Sequence, residues 1–579
     1  MSDFAFAAYL DTFRTRLQDA GFIKSSESEV DSWKGAVAVD WDDPVTGEPK
    51  SGGHQVTIVL RPGFPYREPE VVCNDVEPPL VRSWHLNPGS PPTLCLYTPD
   101  AGWQPHYTAQ KLLRRIHEWF VYYHTDTWPP GGNLPDLHRY LKQIGTVFFG
   151  EEWQPEPESE AGRFILWYRS DFSQAALAVS ERATGAKLGE PEPRLARHVG
   201  LGGRSNVRRQ QAPGVWFRLP KAIVPPGTLA ELLASLDDAL GKDQGWAHET
   251  CIRAFGMKSR LDGFPFALAY PDRTGDERWL FLWAALPERQ RKSYAWSRPQ
   301  ALHQIRLKSF QTAPAKRADL LRRSVHLSQH LADKSVVIFG VGALGSPTAL
   351  LLAKAGMGVL HLVDRDILMP GNAMRHVCGM NMVGWPKTSG VKHVVEAHHI
   401  DCAVETHEAT WDPEKLHALM EGCDLVIDCT ANRNFSLYLN SLCSSRAQLL
   451  LVATAHRRAR VGRLLLRAQP SDPCLACYHA GEWSEDLYPR VPPASSEEVF
   501  IEDGCGGITE EAVALDLEAI ANLTARTAAS LLKGEPPAGN LALLVNTPLP
   551  EVTEGVLRKP GTHWFTNQAT PFCVGCRSA

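Results

Sequence analysis

No stretch of the chain approaches about 20 unbroken apolar residues, the length that a membrane-spanning helix needs, so no membrane partner is expected. Basic residues are not in excess. Sixty lysines and arginines stand against 65 acidic residues, a formal charge of −5, which argues against nucleic acid as the main partner. The first residues, MSDFAFAAYLDTFRTRL, lack a basic leader and a cleavage signal, so export is not expected and a cytoplasmic setting is. No internal repeat is present. Thirteen cysteines among 579 residues do not make a small disulfide scaffold. Four of them form two Cys-x-x-Cys pairs, Cys474/Cys477 and Cys573/Cys576. Cys73, Cys251, Cys378, Cys402, Cys423, Cys429 and Cys443 mostly sit in apolar runs and are expected as small buried hydrophobes. Cys95 and Cys505 stand in settings of neither kind.

The length predicts several domains. Residues 1–150 read as helix, antiparallel strands, a segment carrying Cys95 and a second helix, an α+β order. Residues 151–315 alternate strand-like runs (RFILWYRSDF, GVWFRLP, RWLFLWAALP) with polar loops and the helix pattern TLAELLASLDDAL. They predict a folded α/β or α+β middle domain without a chemical motif. Residues 316–579 begin a βαβ unit at KSVVIFG, a β-branched run of the kind found in buried parallel strands, and predict a Rossmann-like α/β domain.

Gly340-Val-Gly342-Ala-Leu-Gly345 follows that strand and opens a helix. Glycines let the backbone approach phosphates, and the helix N-terminus supplies N–H donors. Asp364 ends the next strand, where a carboxylate can bond a ribose hydroxyl. These features alone fit an NAD enzyme as well as an ATP enzyme. The segment that follows carries Asp364-x-Asp366, Asn372-x-x-Arg375 and Gly384-Trp-Pro-Lys387. In this order the chain resembles the ThiF/MoeB adenylating family, shared by ubiquitin-activating enzymes. The resemblance implies ATP and Mg²⁺, with Asp364 on the ribose and Asn372, Arg375 and Lys387 on the triphosphate. Two cations suit a reaction that brings a carboxylate beside a polyphosphate. The family's Asp-Cys-Thr-Asp-Asn reads Asp428-Cys-Thr-Ala431-Asn432 here. Ala431 cannot ligate magnesium, which leaves Asp428, Asp366 or weaker metal binding. The family also implies a homodimer and an arginine from before the glycine loop, for which Arg317, Arg322 and Arg323 are unranked candidates.

Each Cys-x-x-Cys turn can aim two sulfurs at one ion, and two turns complete a tetrahedral Zn²⁺ site. The same family places its two pairs in this order. Such a closed site is structural. Cys505 lies in Ile501-Glu-Asp-Gly-Cys-Gly-Gly507, where flanking glycines pack a core poorly. Family members that form a protein thioester carry their cysteine in this interval, before a long helix, here AVALDLEAIANLTARTAASLL. Cys505 is therefore expected as a nucleophile; the other reading is a structural cysteine in a turn.

The N-terminal region carries Trp84-His85-Leu86-Asn87, Cys95 eight residues beyond Asn87, and Trp103-Gln-Pro105. This resembles the ubiquitin-conjugating fold, with Leu86 where that family has proline. The resemblance makes Cys95 the thioester acceptor. Asn87 suits an oxyanion formed when an amine attacks a thioester, and His85 is expected as a structural residue.

The order conjugating domain, middle domain, activating domain is similar to the fused conjugation protein of bacterial CBASS antiphage operons. That likeness implies activation of a protein C-terminus, that of the operon's CD-NTase, and transfer through Cys505 and Cys95 to a target lysine. Three other readings stand beside it: an NAD-dependent oxidoreductase with structural zinc, a sulfur-carrier adenylyltransferase, and an inactive scaffold that binds a modifier.

Overall fold

The computed structural model describes the chain apart from residues 1–2, 27–29, 74–85, 88–92, 98–101, 126, 128–136, 138–140, 170–175, 181–208, 224, 256–262, 273–274, 287–298, 400, 470, 481–486, 496–498, 502–507, 571–572 and 574–579. Two compact units divide at Pro314 and Ala315.

The first unit holds two separate sheets. Strands β1 (Ile23–Lys24), β2 (Asp31–Asp42), β3 (Pro49–Leu60), β4 (Glu70–Cys73), β5 (Leu86–Asn87) and β6 (Thr93–Leu94) form one, in the order β1-β2-β3-β4-β6-β5. β2 and β3 alternate buried and exposed residues toward β3's end, as strands with one face on a core do. Helix Ala109–Thr125 covers that face with Leu112, Ile116, Trp119 and Phe120, which recur at helical spacing. Phe13 and Leu17 of helix Asp3–Asp19 join the same core.

The second sheet is a closed barrel of β7 (Gln143–Phe149), β8 (Ala161–Arg169), β9 (Ala176–Ser180), β10 (Arg209–Arg218), β11 (Gly263–Pro271), β12 (Glu277–Ala285) and β13 (Arg306–Pro314). Its first strand starts at Gln143, ahead of the expected middle-domain start at 151. Trp153, Phe164, Phe281 and Phe310 belong to one aromatic core. Helices Leu229–Ala239 and Trp246–Phe255 belong to another, with Phe217, Phe266 and Leu282.

The second unit is built on an eight-stranded sheet. β14 (Ser335–Phe339), β15 (Val359–Val363), β16 (Ala403–His407), β17 (Leu425–Asp428) and β18 (Leu450–His456) are parallel. β19 (Val461–Arg467), β22 (Leu541–Val545) and β23 (Gly561–Phe565) extend it antiparallel, and β20 (Val499–Ile501) with β21 (Ile508–Glu510) makes a separate ribbon. The order is β16-β15-β14-β17-β18-β19-β22-β23. Val336 and Ile338 face a core shared with helices Gly345–Lys354, Lys387–His398 and Ala514–Leu532. Val337 and Phe339 face one shared with helices Pro413–Met420 and Arg433–Ser444. This is why the strands read as continuous apolar runs. The chain crosses from β14 to β15 and β16 on one side, then returns to β17 and β18 on the other. The order thus reverses between β14 and β17, where open α/β sheets keep their ligand crevice. Among the described residues no helix is long and apolar enough to cross a membrane.

Candidate functional site

A cleft of about 300 Å³ opens at that reversal. Phe339, Gly340 and Gly342 line it from the end of β14, and Val363, Asp364, Arg365 and Asp366 from the end of β15. Ala409, Thr410 and Trp411 follow β16, and Cys429, Thr430, Asn432 and Phe435 follow β17; Lys387 completes it.

The three glycines are required for different reasons. Gly340 has φ +79°, and a Cβ there would meet the Cys429 and Thr430 backbone at 2.9 Å. A Cβ on Gly345 would lie 1.9 Å from the Gly340 carbonyl oxygen. A Cβ on Gly342 would meet nothing within 4 Å, so that glycine leaves open space in the cleft. Gly345→Ala is expected to destabilise the protein by about 3 kcal/mol, the upper range for overpacking. Gly342→Ala is expected to leave the unfolding midpoint unchanged yet weaken nucleotide binding. Urea unfolding and nucleotide titration of both variants separate the two roles.

Asp364 ties the strands together. Its carboxylate accepts from Val341 N at 2.9 Å and from Asp366 N at 2.9 Å. Lys387 Nζ donates to Asp366 at 2.8 Å; the lysine side chain is 13% exposed and the aspartate 56%. Lys387 also opens its helix and donates its backbone N–H to the Asp366 carbonyl. Asn372 caps its own turn, accepting from Met369 N at 2.9 Å. Neither Asn372 nor Arg375 lines the cleft.

Asp428 is fully buried and does not line the cleft. Its oxygens accept from the Thr430 backbone and hydroxyl and from Ser436, and burial nevertheless raises its pKa. A carboxylate so engaged fits a strand-end brace better than a magnesium ligand, whereas Asp366 stands open in the cleft. Ala431 adopts φ +55° in the turn that Asp428 braces. Arg317 bonds the carbonyls of Gly356, at 2.7 Å, and Asp401; Gly356 follows the C-terminal end of the helix whose N-terminus meets the glycine turn. Arg322 and Arg323 are exposed.

Several cleft residues carry no sequence motif. Trp411 packs edge-on against Phe435 at 5.0 Å, and Phe435 against Phe339 at 5.5 Å, giving an aromatic wall suited to a planar base. His376 Nε2 lies 2.7 Å from the Val341 carbonyl while Nδ1 accepts from Cys378 N, so the proton sits on Nε2 and the glycine turn is pinned. Burial lowers the His376 pKa, which keeps the ring neutral. Cys429, expected in the core, reaches the cleft; burial pushes its thiol pKa up, so it is no ready nucleophile. The other six cysteines of that group are buried.

Cys474 Sγ lies 3.8 Å from Cys477 Sγ and 3.4 Å from Cys573 Sγ, although 99 residues separate the first and last. Zn–S bonds of about 2.3 Å put tetrahedral sulfurs about 3.8 Å apart, so three thiolates fit one zinc ion. Cys576, the expected fourth ligand, and Cys505 lie outside the described residues.

In the first unit Asn87 pairs with Thr93 across β5 and β6, and its Nδ2 donates to Thr93 Oγ1 at 3.3 Å. Leu94 and Leu96 are buried, while Asn87, Thr93, Cys95 and Tyr97 are half-exposed. The two-residue alternation puts Cys95 on the side of Thr93 and Asn87. Arg115 holds the following segment by donating to the Leu96 carbonyl at 2.9 Å, and Trp103 Nε1 donates to the Pro65 carbonyl at 2.6 Å. His85 lies outside the described residues.

Residues 317–556 match the ThiF family. Over 527 residues the chain is 26% identical to the uncharacterized protein y4oA of Sinorhizobium fredii, covering 83% of each. Over 148 residues it is 32% identical to the molybdopterin-synthase adenylyltransferase of Escherichia coli, covering 25% of this chain and 59% of that protein. A crystal structure of E. coli MccB with MccA-N7isoASN aligns with 44% of this chain and 70% of its own, at 20% identity and a TM-score of 0.34.

Proposed function

We propose that the cleft adenylates the C-terminal carboxylate of a partner protein, which the chain then carries as a thioester on Cys505 and Cys95 before joining it to a lysine amine. One observation carries the first step: the glycine turn, Asp364, Asp366 and Lys387 share a single cleft at the sheet's reversal. The match of residues 317–556 to the ThiF family supports it.

A carboxylate oxygen attacks the α-phosphorus of ATP and pyrophosphate leaves. The Cys505 thiolate then attacks the acyl carbonyl and AMP leaves. Cys95 takes the acyl group in exchange, and a lysine amine displaces it as an amide, returning the thiol. Lys387 is held by Asp366 before nucleotide arrives. Polyphosphate competes for that ammonium and releases the Asp366 carboxylate, which would then hold magnesium. That ion supplies neutralisation of the triphosphate charge. Asn372 and Arg375, which lie outside the cleft lining, would reach the phosphates once the segment after β15 moves inward, and Asp364 holds the ribose.

The resemblance to the fused conjugation protein of CBASS operons supports a CD-NTase of bacterial antiviral defence as the partner. The exposed apolar side chains Ile367, Met369, Met374, Met380 and Trp385, clustered in sequence just before Lys387, support a homodimer through this domain. Cys474, Cys477, Cys573 and Cys576 hold a structural zinc. About one zinc per chain is expected by elemental analysis, and Cys573→Ser should lose it and lower the melting temperature. A folded wild type without zinc would overturn that assignment.

The relative that adenylates for molybdopterin synthase supports a second reading, in which the carboxylate belongs to a sulfur carrier and Cys505 handles sulfur. Intact mass spectrometry with ATP and candidate partners decides between them. A reductant-cleavable adduct of a whole partner on this chain supports conjugation. A partner that instead gains only sulfur supports the second reading.

A further inference from the structure

Two histidines and a glutamate converge on the edge of the eight-stranded sheet. β16 is its outer strand and runs parallel to β15, with His361 opposite Glu405 and Val363 opposite His407. His361 Nδ1 lies 3.2 Å from His407 Nε2 and 3.3 Å from Glu405 Oε2. His407 Nε2 lies 3.8 Å from that same oxygen. Three donor atoms therefore make a closed triangle around one point.

Hydrogen bonding makes at most two edges of this triangle attractive. If both nitrogens carry protons, each can donate to the carboxylate, but the two N–H groups then face each other at 3.2 Å. If only His361 Nδ1 carries a proton, His407 Nε2 and the carboxylate oxygen are both acceptors, 3.8 Å apart, and nothing joins them. No neutral tautomer makes all three edges attractive. A cation at the centre makes all three contacts favourable.

The spacing also selects the kind of cation. Zinc bonds to imidazole nitrogen and carboxylate oxygen are about 2.0–2.2 Å, which sets tetrahedral ligand atoms about 3.3–3.6 Å apart. The three observed separations bracket that range. Two imidazoles with one carboxylate suit zinc and its first-row neighbours, whereas magnesium and calcium prefer oxygen alone. Glu405 is 60% exposed, so solvent reaches the ligand set.

We propose that His361, Glu405 and His407 form a binding site for a divalent first-row metal ion, with its remaining coordination position open to solvent. The site adjoins the nucleotide cleft through the backbone. The His407 carbonyl accepts from Asp364 N at 3.3 Å, and Asp364 in turn holds the glycine turn through Val341 N. A bound ion would clamp β16 to β15 at the strand end from which Asp364 reaches the cleft. The site is independent of the thiolate cluster and of any reading of the catalysed reaction.

Cobalt(II) titration of the full-length protein tests this, with any tightly held metal left in place. The wild type is expected to take up one additional equivalent at micromolar cobalt. Visible d–d bands should appear without a new near-ultraviolet thiolate charge-transfer band, because no sulfur ligates here. His361→Ala and His407→Ala should each abolish that uptake. Glu405→Gln changes an exposed side chain and so preserves the test if a histidine variant misfolds. It should weaken uptake by on the order of 10-fold or more. Zinc should raise the melting temperature of the wild type and raise it less in Glu405→Gln. Undiminished uptake in these variants, a thiolate band on the added equivalent, or no added equivalent in the wild type would each overturn the site.

Discussion

Lys387→Ala is expected to reduce ATP–pyrophosphate exchange by on the order of 10²–10³-fold, the usual cost of one lost electrostatic contact to a developing charge. The protein should remain folded. Lys387 makes one ion pair with Asp366, which is more than half exposed, and such pairs contribute at most about 1 kcal/mol. Its place at the start of helix Lys387–His398 does not depend on its charge. The loss should therefore appear in exchange and not in the unfolding midpoint. Asp366→Asn frees Lys387 from its partner while removing a carboxylate from the cleft. It should keep nucleotide binding but require more magnesium for the same rate. Arg375 lies outside the cleft lining, so Arg375→Ala reads whether the segment after β15 must move inward during the reaction. A loss as large as that of Lys387→Ala would mean that it does. Normal exchange in Lys387→Ala would remove the assigned role.

The glycine turn was legible because its three constraints are local. A buried strand, a left-handed residue at Gly340 and a close helix packing at Gly345 leave marks within ten residues. Asp364 was legible for the same reason. Trp411 and Arg365 were not, since nothing in their own neighbourhood distinguishes a cleft residue from a surface one. They reach the cleft only because β15 ends beside β14 and β16 beside β15, which is a property of strand order. Asp428 is the opposite case. Spacing offered it as a metal ligand, but the last residue of a central strand points into the protein, where Thr430 and Ser436 engage it. The barrel was legible as strands and helices but not as a barrel. Its closure pairs Ser309 with Gln143 and Pro314 with Phe149, contacts that no short-range pattern encodes. The thiolate cluster lay between these cases. The Cys-x-x-Cys turns singled out the pairs, and the fold brings Cys474 to Cys573.

The two cysteines of the proposed relay make separable predictions. Cys505→Ala should still adenylate but load neither cysteine. Cys95→Ala should adenylate and accumulate the partner on Cys505, through a bond that a thiol reductant cleaves. Cys95→Lys should trap an amide that reductant does not cleave, because the amine then stands where the thioester is delivered. Asn87 should behave unlike either. It shares the half-exposed side of its strand pair with Thr93 and Cys95, and Thr93 Oγ1 holds its amide. An amide fixed there serves the second half of the relay, when an amine adds to the thioester carbonyl and negative charge grows on oxygen. Asn87→Ala should therefore load Cys95 at the normal rate yet slow transfer to an amine by on the order of 10²-fold or more. Single-turnover mass spectrometry follows both phases in one experiment, since loading and discharge change the mass of the chain in opposite directions. Slow loading in Asn87→Ala would place the residue in the fold of the β5–β6 pair and not in the transfer step. Loading of Cys95 in Cys505→Ala would mean that the adenylate is attacked directly by Cys95 or by another cysteine of the activating domain. Cys505 would then lose its role, while adenylation and conjugation by one chain would stand.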